Sequence, residues 1–402
     1  MTELTFSIYG DQPTVLEDPA FLLDEFKRQY NISVALERMP FEKAWPQLVN
    51  VALHGGGPHI SQIGAIWTST LMQMNVLRQF NAAEIASMGG VEAFFPATWT
   101  NALLADTSCA WGMPLSAYIY YILYRRDLLQ QAGVDEKTAF QSADSILETV
   151  RKCAASNKGA TILLPSIKPF NARIHISASW VWEAQGDFMS ADGQSVLLDE
   201  PQTLKGLSAF YQLYRALSPQ DTNLSYEECI RRFLAGDAAI AFGGIGAQAL
   251  LDQADRHGVI ENLGIAPLPG IPWIGGSNLV IWNETRMFPA QEKAALTLVR
   301  VLADAPAQKA YALGQKVIPA RKDALAAMEF EPSALKQVCE QSLQIGRTYH
   351  AGPGWMRMLS ELRYRSDAIT KQILSNPEME VERIVEEQLR PVAEKFKLLI
   401  SQ

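Results

Sequence analysis

Hydrophobic positions in the first hundred residues change period several times, and each change marks an element. Leu4 to Tyr9 alternates apolar and polar residues, the period-two signature of a half-buried strand. Asp18-Pro19 then offers an N-cap with proline at the first helical position, and Phe21, Leu22, Leu23, Phe26 and Tyr30 follow at helical spacing. NISVALER predicts a second strand. Glu42 to Leu53 predicts a helix with Trp45, Leu48, Val49, Ala52 and Leu53 on one face, and HISQIG a short third strand. Strands alternating with helices predict a parallel sheet covered on both sides, with ligands beyond the carboxyl ends of the strands near a topological switch point. The loops in that position are Tyr9-Gly10-Asp11-Gln12 and Gly64-Ala65-Ile66-Trp67.

The pattern changes at WGMPLSAYIYYILYRRDLLQQAGVD. Pro114 opens an extended aromatic run from Tyr118 to Tyr124, which leads into a short helix closed by Gly133. A second α/β series follows. Ser142 to Asn157 reads as an amphipathic helix, ATILLPS as a buried strand, and a helix runs through Trp180 and Trp182. SYEECIRRFLAGDAAIAFGG then reads as a helix, a stop at Gly236 and a strand. From Arg321 the chain is largely helical. At 402 residues and 48% hydrophobic positions it exceeds what one core organises, so two lobes are expected. With no low-complexity linker, the chain must cross between them by short ordered segments, Gly112 to Tyr118, Asn262 to Pro269 and Gly314 to Ala320.

Charge and cysteine content narrow the function. The 35 Lys and Arg against 43 Asp and Glu give net −8 without a basic stripe, which argues against a nucleic-acid partner. No apolar run approaches the roughly 20 residues of a membrane span, and MTELTFSIYG lacks the regions of a signal peptide. Cys109, Cys153, Cys229 and Cys339 are widely spaced and form no metal or disulfide motif, so buried free thiols are expected and no metal or cofactor is called for.

Two glycine clusters imitate phosphate sites. HGGGPHISQIG follows a helix and precedes a strand, the reverse of a P-loop, and lacks its Lys; it reads as a helix stop, with Gly55 or Gly56 at positive φ and Pro58 blocking continuation. In FGGIGAQA, Gly244, Gly246 and Ala249 match G-x-G-x-x-A after a strand, but the next strand, GIAPLPG, ends in prolines where a ribose-binding acid belongs. SADGQ reads as a hairpin turn. The histidines His54, His59, His175, His257 and His350 are scattered singly, and no catalytic motif or carboxylate pair stands out, which disfavours an enzyme. Aromatics carry more information. Trp67, Trp111, Trp273 and Trp355 sit beside turn residues, where flat amphipathic rings suit stacking on sugar faces; packing in a core is the alternative for each.

Five collinear segments resemble the family 1 extracellular solute-binding proteins of ABC importers, the group that includes the maltose-binding protein. They are QLVNVALHGGGPHISQI, MPLSAYIYYILYRRDLLQQAGVD, FLAGDAAIAFGG, LGIAPLPG with GGSNLVIW, and AQKAYALGQKVIPARKDAL. The resemblance implies an α/β, two-lobed periplasmic-binding-protein fold of type II, with parallel-rich sheets flanked by helices and three hinge crossings near 114–118, 262–268 and 314–320. The first lobe would comprise 1–113 and 268–314, the second 118–262 and 320–402. It implies non-catalytic capture of a mono- or oligosaccharide, or a derivative, in an interlobe cleft that closes by hinge motion. The partners would be the sugar and membrane permease subunits, the state a monomer, and the address periplasmic or extracellular and lipid-anchored, the leader having been removed.

Carried over by position, first-lobe contacts would come from Gly10, Asp11 and Gln12, from His59 to Trp67, and from Trp273 through Gly275, Gly276 and Ser277 to Asn278. The second lobe would offer Tyr118, Asn171, Trp180, Gly243, Gly244, Arg321 and Trp355, with Arg321 reading equally as a lobe-stabilising ion pair. His59 departs from the family's usual Asp, and Ile245 from a stacking Trp found in many members. His59 and Arg321 leave room for an acidic sugar, and the tryptophans favour a neutral one. Two further readings compete: a two-lobed α/β enzyme acting on sugars or using a nucleotide cofactor, supported by FGGIGAQA alone, and a sensor subunit that reports ligand to a receptor.

Overall fold

The alternation at the amino terminus becomes β1 (Thr2–Tyr9), whose Leu4, Phe6 and Ile8 are buried. In the computed structural model the described residues are 2–9, 20–103, 109–156, 159–166, 172–244, 258–283, 285, 287–352 and 354–400. The chain divides into two compact units, one of residues 1–118 and 274–329, the other of 119–273 and 330–402.

Unit 1 is built on a six-stranded sheet. Beside β1 lie β2 (Ile32–Met39), β3 (Ile60–Gly64), β4 (Met113–Ile119), β9 (Ile274–Ile281) and β10 (Ile318–Pro319), in the order β10-β4-β9-β3-β1-β2. β1 runs parallel to β2, in register from Thr2 opposite Ile32 to Tyr9 opposite Met39, and parallel to β3. The parallel sheet expected from the first hundred residues is therefore half of a mixed one. β9 pairs antiparallel with β3, and β10 antiparallel with β4. Those strands arrive from far along the chain, and local periodicity carries no record of their direction. Leu4, Phe6, Ile8, Ile60, Leu279 and Ile281 form one core with Phe26 and Leu298 from flanking helices.

The helix before β3, Phe41–His54, buries Ala44, Leu48 and Ala52, while Leu53 is 63% exposed. The apolar stripe is thus rotated from the face read in the sequence, with an alanine where a larger residue was expected to lead. The glycine stop is as read: Gly55 N–H caps Val51 O, and Gly55 and Gly56 hold φ of 70° and 72°.

Unit 2 has four strands in the order β6-β7-β5-β8: β6 (Ala160–Leu163), β7 (Ala238–Gly243), β5 (Tyr121–Arg125) and β8 (Leu263–Pro267). β6 and β7 are parallel; β5 is antiparallel to both β7 and β8. The aromatic run read as one extended segment is two strands in two sheets, divided at Tyr120. The last boundary also falls later than the sequence placed it, after Glu329, because β10 pairs with β4 and Arg321 is bound within unit 1.

Helix Ala172–Glu183 is buried along its whole first eleven residues, which is why it shows no amphipathic stripe. Gly206 permits this. A Cβ there would lie 2.5 Å from Val181 Cα, so the glycine lets helix Pro201–Gln212 press against the buried one. Its buried Arg173 is paired with Asp367 and donates to Ser166 O and Thr370 Oγ1. Cys153, Cys229 and Cys339 are buried thiols whose pKa values burial pushes up to about 11, 12 and 12. Among the described residues, no helix is long and apolar enough to cross a membrane.

Candidate ligand-binding surfaces

In unit 1 the carboxyl ends of β1 and β3 carry an aromatic group. Trp67, in the first turn of helix Ala65–Gln73, meets Tyr9 edge-on at 5.3 Å and lies 6.0 Å from Phe41 and 5.9 Å from Trp45. Gly64 makes this possible: a Cβ there would come within 3.1 Å of the indole, which folds back over the backbone. Trp67 is 5% exposed, so its faces are largely taken by protein.

Beside it runs a line of hydroxyls and amides. β3 is buried throughout yet contains Ser61 and Gln62, and polar residues in a wholly buried strand need partners. Ser61 Oγ meets Ser7 Oγ at 2.6 Å and accepts from Trp282 Nε1 at 2.8 Å. Gln62 Nε2 donates to Ser277 Oγ at 3.0 Å, and Ser277 Oγ meets Ser116 Oγ at 2.6 Å. Asn278 Nδ2 donates to Thr68 Oγ1 and to Asn101 O. Tyr9 and Tyr118 are half-buried neighbours at this end, and burial raises the pKa of both. The structure therefore brings Trp67, Tyr118, Ser277 and Asn278 into one region of unit 1. Tyr9 and Gln62, which the sequence reading included in a candidate loop and a contact range without singling them out, lie here too, and Ser116, placed there only in a crossing, joins them. Gly275 and Gly276 precede Ser277 in β9, and a side chain at Gly276, where φ is 149°, would overlap the Ser116 carbonyl.

His59 and Arg321 are held elsewhere. His59 lies at the amino end of β3. Its Nδ1 is 3.0 Å from Thr5 N and 2.8 Å from Thr5 Oγ1, and burial lowers its pKa. It is a bracket between β1 and β3, at the end of the strand away from Trp67. Arg321 is clamped by Asp323 through two nitrogens, at 2.9 and 2.7 Å, donates to Met88 O and Ala303 O, and lies over the Phe94 ring. Of its two readings, the ion pair is the one the structure contains.

In unit 2 the aromatic residues gather around His175 and Tyr349. Trp273 stacks on His175 with centroids 3.9 Å apart and planes within 12°. Its position is fixed by its own N–H on Ser179 Oγ and by Arg347 N–H on Pro272 O. Tyr120 lies 5.9 Å from Trp273 and meets Tyr226 edge-on at 6.1 Å. His175 Nδ1 is 2.8 Å from Tyr349 Oη, and Trp355 packs on Tyr349 at 4.7 Å. Full burial drives the His175 pKa down to about 3, so the ring is neutral. Gly243 and Gly244 end β7 against these tyrosines, since side chains there would overlap Tyr121 and approach Tyr120 and Tyr226 Oη. Tyr226 opens its helix from a capping box in which Ser225 and Glu228 bond reciprocally.

Trp273, Gly243 and Gly244 thus meet in unit 2, and Tyr120, His175, Tyr226 and Tyr349 join them. A histidine and three tyrosines, scattered in sequence, gave no motif. Trp355 and Trp180 are 1% exposed; Trp180 sits between Phe210 and Phe242. Asp187, at the edge of this group, binds Arg347 Nη2 at 2.7 Å and His350 Nδ1 at 3.0 Å, and Arg347 lies over Trp182. SADGQ is the expected turn, with Gly193 at φ 69° and packed against Gly352. Gly10, Asp11, Gln12, Asn171, Ile245, Gly246, Ala249 and His257 lie outside the described residues.

A family model for bacterial extracellular solute-binding proteins matches residues 22–336. The chain belongs to that family; it is a solute-binding protein and not an enzyme, and its family is extracellular. Among curated proteins it is 22% identical over 245 residues to YcjN of Escherichia coli (strain K12), provisionally named an ABC transporter periplasmic-binding protein. That alignment covers 60% of this chain and 55% of the relative, so the chain spans about half the length of the curated relative it matches. Among solved structures, the sugar-binding protein MalE from the phytopathogen Xanthomonas citri is similar with a TM-score of 0.81 at 18% identity, over the full length of both chains. A solute-binding protein of an ABC transporter from Thermotoga lettingae, bound with α-D-tagatose, matches with a TM-score of 0.76 at 18% identity, again over both full chains. These likenesses establish the two-unit α/β fold.

Proposed function

We propose that the protein reversibly captures a sugar, or a sugar derivative, and delivers it unchanged to the membrane subunits of an ABC importer. The observation that carries this reading is the aromatic group of unit 2, where Trp273, Tyr120 and Tyr349 surround a neutral His175 and Tyr226 packs on Tyr120. Rings and hydroxyl-compatible groups without a free charge suit a polyol, whose C–H faces meet π surfaces and whose hydroxyls need donors and acceptors. The Tyr9, Gln62, Ser116 and Ser277 line in unit 1 is a second surface of the same kind. Two similar proteins, one sugar-binding and one bound with α-D-tagatose, support the substrate class proposed for this chain. Family membership supports a monomer working outside the cytoplasm, in the periplasm or tethered by a lipid anchor.

The test is a thermal-shift screen followed by calorimetry. Stabilisation by a sugar, with the sugar recovered intact, is the expected result. Stabilisation by nucleotide-sugars or dinucleotides, with no response to sugars, would overturn it.

A further inference from the structure

Two buried donors in the unit 2 group have no partner among the described residues. Trp273 is 3% exposed and its Nε1 makes no hydrogen bond; Tyr226 is 9% exposed and its hydroxyl makes none. Both rings pack on Tyr120, at 5.9 and 6.1 Å. Buried polar groups are ordinarily satisfied, so an orphaned N–H and an orphaned O–H on neighbouring rings indicate something that accepts from them. Trp180 Nε1 and Arg347 Nε of unit 2 are also buried without a partner; what sets Trp273 and Tyr226 apart is that both rings pack on Tyr120. His175, next to Trp273, has its Nδ1 on Tyr349, and Ser225 and Glu228, next to Tyr226, are closed into their cap.

The chemical environment limits what that acceptor is. The groups whose fields reach Tyr226 are Tyr120, Tyr121 and Cys229, all neutral, and burial keeps the Tyr226 hydroxyl protonated far above the usual tyrosine range. On the Tyr349 side Asp187 is paired with Arg347 and contacted by His350. Arg347, which lies over Trp182, is thus already paired, and an unpaired anion among these rings would carry its full desolvation penalty. The Trp273 face is also occupied, by His175 at 3.9 Å, so this indole offers its edge to a ligand and not a stacking platform.

We propose that Trp273 Nε1 and Tyr226 Oη are the specificity-determining donors of the unit 2 surface and that they select an uncharged sugar, through its hydroxyl or ring oxygens. This inference rests on the sugar reading above and sharpens it. It replaces the sequence-level role of Trp273 as a stacking ring, adds Tyr226, and removes the acidic-sugar option that His59 and Arg321 had left open.

The experiment is calorimetry on the whole chain with a panel of neutral mono- and disaccharides and the matching uronic acids, for the parent, Tyr226→Phe and Trp273→Phe. A neutral sugar is expected to bind at least about tenfold more tightly than its uronic acid, since a site built for one pattern of partners rejects an analogue that leaves a buried group unpaired. Each substitution should weaken that sugar by roughly 5- to 50-fold, and Tyr226→Phe should leave the ligand-free melting temperature unchanged or higher, because removing an unsatisfied buried hydroxyl costs the free protein nothing. Tyr226→Phe changes one atom and keeps the ring, so its result stands even if Trp273→Phe folds poorly. Tighter binding of a uronic acid, or parent-like affinity in Tyr226→Phe, would overturn the inference and leave the sugar reading standing. No binding of any sugar, neutral or acidic, would remove the sugar reading and this inference with it.

Discussion

The two units solve the same problem, polar groups beside aromatic rings, in opposite ways. In unit 1 the hydroxyl line is bonded along its length, Gln62 on Ser277, Ser277 on Ser116, Ser7 on Ser61, Trp282 on Ser61, with the acceptor Gln62 Oε1 left over. In unit 2 the indole of Trp273 and the phenol of Tyr226 are left without partners beside a His175 whose Nδ1 is bonded. A closed network holds strands in place, and an open one keeps capacity for something that arrives later. Burial alone does not separate the two, since both regions are largely inside. What separates them is what is left over, an amide acceptor in unit 1 and donors on aromatic rings in unit 2.

The largest break in this comparison is expected from Trp180, whose Nε1 is also unpartnered but whose ring packs in the unit 2 core between Phe210 and Phe242. Trp180→Ala should cost about 3–5 kcal/mol, as for other large-to-small core changes, read from the shift in chemical denaturation. Trp180→Phe, which retains most of the packing, should leave sugar affinity within about twofold, in contrast to Tyr226→Phe.

Next in size is an acid limb specific to unit 2. His175 stays neutral in the folded chain down to about pH 3, whereas the free imidazole titrates near 6.5. Below 6.5 the unfolded chain takes up a proton that the folded chain refuses. Stability is therefore fully present above 6.5 and declines as pH falls toward 3, by roughly 4 kcal/mol. His175→Phe, which keeps the stack on Trp273, should flatten that limb. An unchanged acid profile in this variant would show that His175 is not its source.

In unit 1, Arg321→Met should cost about 2–3 kcal/mol, because it strands the carbonyls of Met88 and Ala303 and releases Asp323. Affinity for a sugar should not follow, and a loss of affinity at unchanged stability would restore the ligand-contact reading. The smallest expected effect is at His59. His59→Asp should cost about 1 kcal/mol through the lost bond from Thr5 N–H and leave affinity as it was. The His59 pKa is lowered by burial, so its contribution likewise fades as pH falls through the imidazole range, since a protonated Nδ1 no longer accepts from Thr5.

Much of the fold was legible because it is written in local periods. The first three strands and their helices, the glycine stop after His54, the Gly236 stop before β7 and the SADGQ turn all follow from residues a few positions apart. The site was legible only in part. Trp67, Trp273, Ser277 and Asn278, which lie in the two candidate surfaces, were singled out because they flank turns in segments with a recognisable order. Tyr120, His175 and Tyr226 were not, because nothing about an isolated tyrosine or histidine in a sequence records what faces it. The indoles at turns were read as stacking platforms with core packing as the alternative for each, and Trp67, Trp273 and Trp355 are all at most 5% exposed.

By itself, then, the sequence determined the alternation of strands and helices, the need for two units and the family, since these depend on spacing along the chain and on order. The tertiary structure decided the reversal of β9 against β3, the confinement of His59 to Thr5 and of Arg321 to Asp323, and the partners of each buried polar atom. Hydrogen-bond balance is a property of atoms brought together from distant positions. Trp273 Nε1 and Tyr226 Oη are orphans only once Tyr120, His175 and Gly244 have closed around them.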